Sequence, residues 1–254
     1  PTHFIRMLKL PEADRLRHDT SSLTVAFHAA APCPQEVKRA MMAWWGPILH
    51  EFYGGTEANG LTAIGPQEWL AHPGSVGRAV WGQIRICDDA GDPVPPGQVG
   101  TVYFAEGQPF EYHQDPEKTE QSRNKHGWTT IGDVGWLSED NYLTLTDRQS
   151  FMIISGGVNI YPQEIEDALI THPKAADVAV IGAPDAEMGE RVVAVIQPAD
   201  PLAAGPELAQ ELLAHLAGKV SRIKLPRQID FDPELPRHPN GKLLKRLVRA
   251  RYWP

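Results

Sequence analysis

Cysteine is scarce in this chain of 254 residues: Cys33 and Cys87 are the only two, far apart and in no metal or redox spacing. That excludes a disulfide-stapled secreted scaffold and a thiolate metal centre, and it points to reduced thiols in the cytoplasm. Long apolar runs are missing too, so no stretch has the length needed to cross a bilayer as a helix. The ten histidines form no HExxH or related zinc-ligating pattern. A catalytic metal should therefore be magnesium, held by oxygen ligands and phosphates. The opening Pro1-Thr2-His3-Phe4-Ile5-Arg6 has neither an initiator Met nor the layout of a signal peptide. There is no internal repeat and no low-complexity segment.

What is present is the make-up of a soluble globular protein, 42% hydrophobic and 22% charged. The length fits one large or two ordinary domains. Net charge is −8, unevenly spread: residues 221–254 hold nine Lys/Arg against three Asp/Glu, a local +6, leaving −14 on residues 1–220. A basic tail on an acidic body can serve nucleic acid, a membrane surface or a phosphate-rich cofactor, or it can be a solvated helix face. No aromatics interleave with these charges as a single-strand binder needs, which makes nucleic acid the weakest of these options.

Leu23–His28 reads as a short buried strand, and Pro34 sits where the first turn of a helix accepts proline. Val37, Ala40, Met41, Trp44 and Trp45 then fall on one helical face, with the Trp pair read as core. Gly46-Pro47 stops that helix, and Ile48–Glu51 leads into Tyr53. This order predicts an α/β layer with Tyr53 at the C-terminal end of a strand, where open α/β sheets bind ligands. From Gly65 to Leu145 short β-like pieces such as Gln83–Cys87 and Val99–Phe104 predict a small antiparallel barrel or sheet. From about residue 150 a third texture begins. It comprises the strand Phe151–Ile154, the loop Ser155-Gly156-Gly157, a helix from Pro162, strands Val178–Ile181 and Val192–Ile196, and a helix striped by Leu208, Leu212 and Leu216.

Two segments carry the chemistry. Tyr53-Gly54-Gly55-Thr56-Glu57 joins an aromatic ring, a flexible turn, a hydroxyl and a carboxylate, a set suited to a nucleotide and its metal. Pro236-Arg237-His238-Pro239-Asn240-Gly241-Lys242 places one lysine on a glycine-containing loop just ahead of a basic helix. With Gly127–Asp133 and with Asp147-Arg148 through Ser155-Gly156-Gly157 to Glu166, these make four separated segments in one order. In that order the chain resembles the second half of an adenylate-forming (AMP-binding) enzyme, nearest the fatty-acid and aromatic acyl-CoA ligases. The fold then expected is α/β plus α+β. Residues 1–149 would be the end of a large AMP-binding domain, with an α/β layer over 1–64 and a β-barrel-like subdomain over 65–149. Residues 150–254 would be a small α+β domain that rotates between two reaction steps.

The resemblance implies two half-reactions: a carboxylic acid attacks the α-phosphate of ATP, releasing pyrophosphate, and a thiol then displaces AMP. It implies that Tyr53 stacks on adenine, that Gly54 belongs to the cofactor-binding turn, that Thr56 holds a phosphate, and that Glu57 binds Mg2+. Asp133 would accept from the ribose hydroxyls with Arg148 assisting. Lys242 would be the cation at the site of adenylation, and Ser150, where the family usually has Asp or Lys, would be the hinge. Gly156 and Gly157 would either form a turn or line a tunnel for pantetheine. Arg222, Lys224 and Arg227 would hold the phosphates of coenzyme A or be solvated surface. Met188 stands where some relatives place a tryptophan against the coenzyme A adenine. Gly54 stands where acetate-specific relatives close the acyl pocket, so a medium, long or aromatic acyl group is expected.

The family's Ser/Thr/Gly-rich phosphate loop ending in Pro-Lys-Gly has no match here, so the chain is expected to be the C-terminal portion of a protein about twice as long and inactive alone. The competing expectations are an enzyme that loads a carrier protein and a non-catalytic nucleotide-binding module. Cytoplasmic location is expected, and a homodimer is left open.

Overall fold

A computed structural model describes residues 1–238 and 241–253. Pro239 and Asn240 of the Lys242 segment lie outside the described residues. The chain opens with two short helices, α1 (Thr2–Leu8) and α2 (Glu12–Arg15), and then divides into two compact units. One comprises Pro1 and Glu12–Ser150; the other comprises Thr2–Pro11 and Phe151–Pro254. The sequence reading places all of residues 1–11 with the first unit. Instead α1 packs in the second, where Ile5 joins the core and the Lys9 ammonium donates to the Ala175 carbonyl.

The first unit begins with β1 (Ala26–His28), α3 (Gln35–Trp45) and β2 (Leu49–Gly54), a βαβ step in which β1 and β2 pair in parallel. The first strand is shorter and less covered than expected: Leu23, Val25 and Phe27 are exposed, and His28 is buried. Then β3 (Leu61–Ile64), the short helix α4 (Pro66–Ala71) and β4 (Arg78–Trp81) complete a four-stranded sheet in the order β1-β2-β3-β4. The face that α3 buries is shifted from the expected stripe. Val37, Lys38, Met41 and Met42 are buried, while Ala40 is exposed and Trp44 and Trp45 are half-buried. The cause is Lys38: its ammonium lies 2.6 Å from Glu51 Oε2 on β2 and 4.8 Å from the Trp69 ring of α4, so the helix turns a charged residue inward. A buried charge persists only when paired in this way.

A second sheet follows in the same unit: β5 (Gln83–Cys87), β6 (Gly100–Ala105), β7 (Asp133–Leu137) and β8 (Leu143–Arg148), with α5 (Pro116–Gln121) between β6 and β7. The barrel expected here is corrected. Among the described residues the sheet is open in the order β5-β6-β7-β8, with β5 and β8 as edges. Closure needs every strand paired on both sides with a consistent stagger. Here β6 and β7 meet only at Gly100↔Gly135 and Thr101↔Val134. Val76, Ile84, Ile86, Val102, Phe104 and Leu143 form the core of this region.

The second unit folds as expected in kind, α+β. Its strands are β9 (Ile153–Ser155), β10 (Val158–Ile160), β11 (Ala175–Asp185), β12 (Gly189–Pro198) and β13 (Gln228–Phe231), in one sheet with β13 paired to β12. Its main helices are α6 (Pro162–Ile170) and α7 (Pro206–Leu216), with α8 (Lys245–Arg249) near the end. Leu208, Leu212 and Leu216 of α7 bury against Val178, Val180, Val192, Ala194 and Ile196 of β11 and β12. Each such leucine is worth about 2 kcal/mol. The basic tail is largely neutralised within this unit: Arg237 pairs with Asp177, Lys245 with Glu166, Arg249 with Glu190 and Arg251 with Asp232.

Candidate nucleotide-binding site

In the first unit, strand geometry brings three distant side chains to one point. Asp133 opens β7 and Arg148 closes β8, and the two are direct cross-strand partners. Residues so placed on an antiparallel pair have neighbouring side chains. Arg148 Nε donates to Asp133 Oδ1 at 3.0 Å. Tyr53, near the C-terminal end of β2, donates its hydroxyl to the other oxygen, Asp133 Oδ2, at 2.7 Å. The site therefore stands where the ends of the two sheets of this unit meet. Burial, then the negative charge and hydrogen bond of Asp133, push the Tyr53 phenol well above its ordinary value. It remains a donor at any physiological pH. Its ring packs near-parallel to Phe104, centroids 6.4 Å apart.

The turn after β2 carries Thr56 and Glu57. Thr56 Oγ1 lies 3.4 Å from Glu57 Oε2, and the Tyr112 hydroxyl donates to Glu57 Oε1 at 3.0 Å. Burial and this contact with Glu57 raise the Tyr112 phenol to about 12. Tyr112 is itself held: its backbone N–H donates to Thr119 Oγ1 at 2.9 Å, and the Lys118 ammonium sits 3.7 Å from its ring centroid. Sequence reasoning misses Tyr112. The helix start beside it is legible, since Asp115 caps α5 ahead of Pro116, but the partner lies 55 positions away.

Gly54 has a structural reason of its own. A Cβ there would stand 3.0 Å from the Gly60 carbonyl oxygen and 3.1 Å from Leu61 Cδ1, so the close return of β3 already favours glycine. Packing against β3 therefore accounts for glycine here without appeal to a ligand pocket. A groove of about 680 Å3 opens elsewhere on this unit, lined by His50, Phe52, Ala63, Val80 and Arg85 among others. Tyr53, Asp133 and Glu57 are not among its lining residues.

The same unit holds a buried charge cluster. His28 Nε2 sits 3.6 Å from Glu51 Oε2, yet burial and the Lys38 ammonium depress its imidazole to about 3. The pair geometry suggests an ion pair, but Lys38 already neutralises that carboxylate, so His28 is neutral. Burial raises the Glu51 carboxyl, and Lys38 opposes that rise.

The remaining expected residues lie in the second unit, apart from Ser150, the exposed last residue of the first, in the 3-10 turn Gln149–Phe151. Gly156 and Gly157, with φ of +57° and +78°, are the two central residues of the β9–β10 hairpin, in which Ser155 pairs with Val158. Two successive left-handed residues are what a type I′ turn requires. The Gly156 N–H donates to the Met188 carbonyl at 2.8 Å, and a Cβ on Gly156 would stand 2.4 Å from Met188 Cε. Arg222, Lys224 and Arg227 do not form a free basic cradle: Lys224 pairs with Glu164, and Arg227 Nη1 lies 3.8 Å from Asp185. Arg222 is exposed. Lys242 is exposed on a hairpin whose rungs are His238 N–H to the Lys242 carbonyl at 2.9 Å and Leu244 N–H to the Pro236 carbonyl at 2.8 Å.

The donor set can be tested against the expected ligands. Each Asp133 oxygen accepts one bond and keeps a lone pair for a sugar hydroxyl. Glu57 is a lone carboxylate, held on one side, and Mg2+ is ordinarily bound through one or two carboxylates plus substrate phosphates. No cluster of three or more metal-ligating side chains occurs among the described residues, which is compatible with such a metal and rules out none.

Two family models match this chain: that of the AMP-binding enzymes over residues 1–111, and that of the AMP-binding enzyme C-terminal domain over residues 164–242. The chain belongs to the AMP-binding enzyme family. It is 33% identical over 251 residues to a long-chain-fatty-acid–CoA ligase of Escherichia coli O6:H1, an alignment spanning 98% of this chain and 43% of that protein. Among solved family structures it is similar to the amide bond synthetase McbA from Marinactinospora thermotolerans, at 32% identity and a TM-score of 0.81, over 99% of this chain and 51% of that one. It is also similar to the anthranilate CoA ligase AuaEII in complex with anthranoyl-AMP, at 28% identity and a TM-score of 0.83, over 99% and 48%. The chain spans about half the length of the family members it matches. No helix among its described residues is long and apolar enough to cross a membrane.

Proposed function

We propose that this chain carries the nucleoside-binding part of an ATP-dependent acid–thiol ligase, one that joins a fatty or aromatic carboxylic acid to coenzyme A through an acyl-adenylate. The observation that carries the reading is the convergence of Tyr53 and Arg148 on the buried Asp133, with Glu57 on the adjoining turn. Asp133, oriented by both neighbours, accepts from the ribose hydroxyls. The Tyr53 ring and the Gly54 backbone take the adenine. Thr56 donates to a phosphate oxygen. Glu57, steadied by Tyr112, is the oxygen ligand for Mg2+, which when bound would neutralise charge on the phosphates.

The substrate carboxylate attacks the α-phosphorus, the bond to the bridging oxygen breaks, and pyrophosphate leaves with its electron pair. Negative charge builds on the α-phosphate oxygens, and Lys242 is the cation assigned to it. In the second half-reaction the thiol sulfur attacks the acyl carbon and AMP departs. The unit of Glu12–Ser150 and the unit of Thr2–Pro11 with Phe151–Pro254 act as the two domains of this cycle, Ser150 is the hinge between them, and Gly156 and Gly157 flank the pantetheine. Arg222 is the best placed of the three cations for a coenzyme A phosphate, because Lys224 and Arg227 have carboxylate partners. The fatty and aromatic choice is supported by the names of the long-chain-fatty-acid and anthranilate ligases. Such an enzyme would work in the cytoplasm.

The test is carboxylate-dependent ATP–pyrophosphate exchange by a protein joining this chain to the half that its relatives carry. Exchange should fall at least a hundredfold in Lys242→Ala, an order of magnitude typical of losing one charge-stabilising group. It should favour octanoate or benzoate over acetate in kcat/KM, and this chain by itself should show none. Undiminished exchange in Lys242→Ala overturns the reading. Supplying coenzyme A, an amine and a carrier protein in turn identifies the acceptor, and the amine arm matters because one relative is an amide bond synthetase.

A further inference from the structure

We infer that Arg237 and Asp177 are a positioning pair that fixes the loop presenting Lys242. This rests on the reading of Lys242 as the adenylation cation, but not on any contact with a nucleotide. Arg237 Nε donates to Asp177 Oδ2 and Arg237 Nη2 to Asp177 Oδ1, both at 2.6 Å. This is the two-pronged fork that gives guanidinium–carboxylate pairs their strength and directionality. The side chains are only 21% and 14% exposed, so solvent screens the pair weakly.

The third prong reaches the loop itself. Arg237 Nη1 donates to the carbonyl of Gly241, the residue immediately before Lys242. The backbone then closes around that anchor. Arg237 and Leu243 form an antiparallel bridge, the Gly241 N–H donates to the His238 carbonyl at 2.8 Å, and the His238 N–H donates to the Lys242 carbonyl at 2.9 Å. One guanidinium thus ties both arms of the hairpin to β11. Lysine at 237 could not, because a point charge on a flexible stem has no planar fork.

Asp177 faces the loop because β11 is irregular there. The register of β11 against β12 shifts between Ala175 and Asp177. A bulge of this kind re-aims a side chain without ending the strand. Asp177 is further fixed by the Val178 N–H, which donates to Oδ1 at 2.9 Å. The result is a rigid base under an exposed lysine: the main chain at 241–243 is held.

The experiment uses the chain as it is. Native-state trypsin digestion is followed by mass spectrometry at the Lys242–Leu243 bond and, as an internal reference, at Lys118 and Lys125 of the first unit. Asp177→Asn should accelerate cleavage after Lys242 about tenfold or more, as loss of a charge-assisted fork implies, and leave the reference sites unchanged. Arg237→Lys should fall between, and the exchanged pair Asp177→Arg with Arg237→Asp should return the rate towards wild type. Amide exchange at Gly241 and Leu244 should follow the same order. Cleavage at the wild-type rate in Asp177→Asn overturns the proposal, and so does equal acceleration at every site, which would mark a general stabiliser. In the longer protein, Asp177→Asn should lower the exchange kcat about tenfold with the KM for ATP unchanged, the signature of a misplaced group. Slow exchange in Lys242→Ala with normal digestion of Asp177→Asn would sink the pair and spare the function of Lys242; the converse would do the opposite.

Discussion

The two units hold their candidate residues in different ways. In the first, the candidate side chains are locked to one another across long sequence separations: Tyr53 to Asp133, Arg148 to Asp133, Tyr112 to Glu57. The same unit also buries a charged cluster of Lys38, Glu51 and His28. In the second, the residues of interest sit on turns, Gly156 and Gly157 on one and Lys242 on another, and the sheet beneath them has an aliphatic core against α7. The first arrangement is a preorganised polar site, in which each group is oriented before any ligand arrives. The second is a stable platform that presents a few groups on backbone geometry. Splitting the buried Lys38–Glu51 pair should therefore be felt in the first unit, and apolar truncation of α7 in the second.

The strongest way to break this contrast is to split the buried pair. Glu51→Gln or Lys38→Met leaves one charge buried without its partner and should destabilise the first unit by about 3–5 kcal/mol. Chemical denaturation followed by amide exchange should show the loss within residues 12–150 only, with residues 151–253 keeping their protection. The mirror experiment is Leu212→Ala in α7, fully buried in the wild type. It should cost about 2–5 kcal/mol in the second unit alone.

A pH titration sharpens the comparison further. The unfolded chain takes up a proton on His28 near its ordinary 6.5, whereas in the fold the imidazole resists protonation down to about 3. Stability from this group is therefore intact above 6.5 and is lost as pH falls from 6.5 towards 3. The slope is about 1.4 kcal/mol per pH unit. Urea midpoints of the first unit should show this slope, and His28→Gln should flatten it. The smallest effect belongs to Tyr112→Phe, which keeps the ring under Lys118 and deletes only the hydroxyl on Glu57. About 0.5–1.5 kcal/mol should be lost, and carbon-13 relaxation at Glu57 should report a more mobile carboxylate.

Much of this arrangement is legible in the sequence, and what escapes has a common cause. The βαβ order around Tyr53, the strand Gln83–Cys87, the helix from Pro162 and the Leu208/Leu212/Leu216 stripe follow from periodicity and from Gly and Pro punctuation, which are local signals. Asp133 and Arg148 stand out by their segments, and the β7–β8 hairpin explains why they touch. What local signals do not carry is pairing at a distance. Lys38 counts as polar in the helical pattern because its partner, Glu51, is invisible to a periodicity argument, so the buried face of α3 is misdrawn. Tyr112 and the Arg237–Asp177 fork escape for the same reason. Regular spacing of short strands implies a sheet but cannot say whether β5 and β8 would join, and they do not.

The central claim is that Asp133, gripped by Tyr53 and Arg148, is the nucleoside anchor of this chain. Isothermal titration of the chain with AMP tests it most directly, comparing wild type with Asp133→Asn, a variant that keeps the shape and removes the charge. The account predicts saturable one-to-one binding by the wild type and an affinity weaker by about tenfold or more in the variant, the cost of losing hydrogen bonds to a charged group. Binding of AMP by Asp133→Asn as tightly as by wild type, or no binding by the wild type, would contradict it.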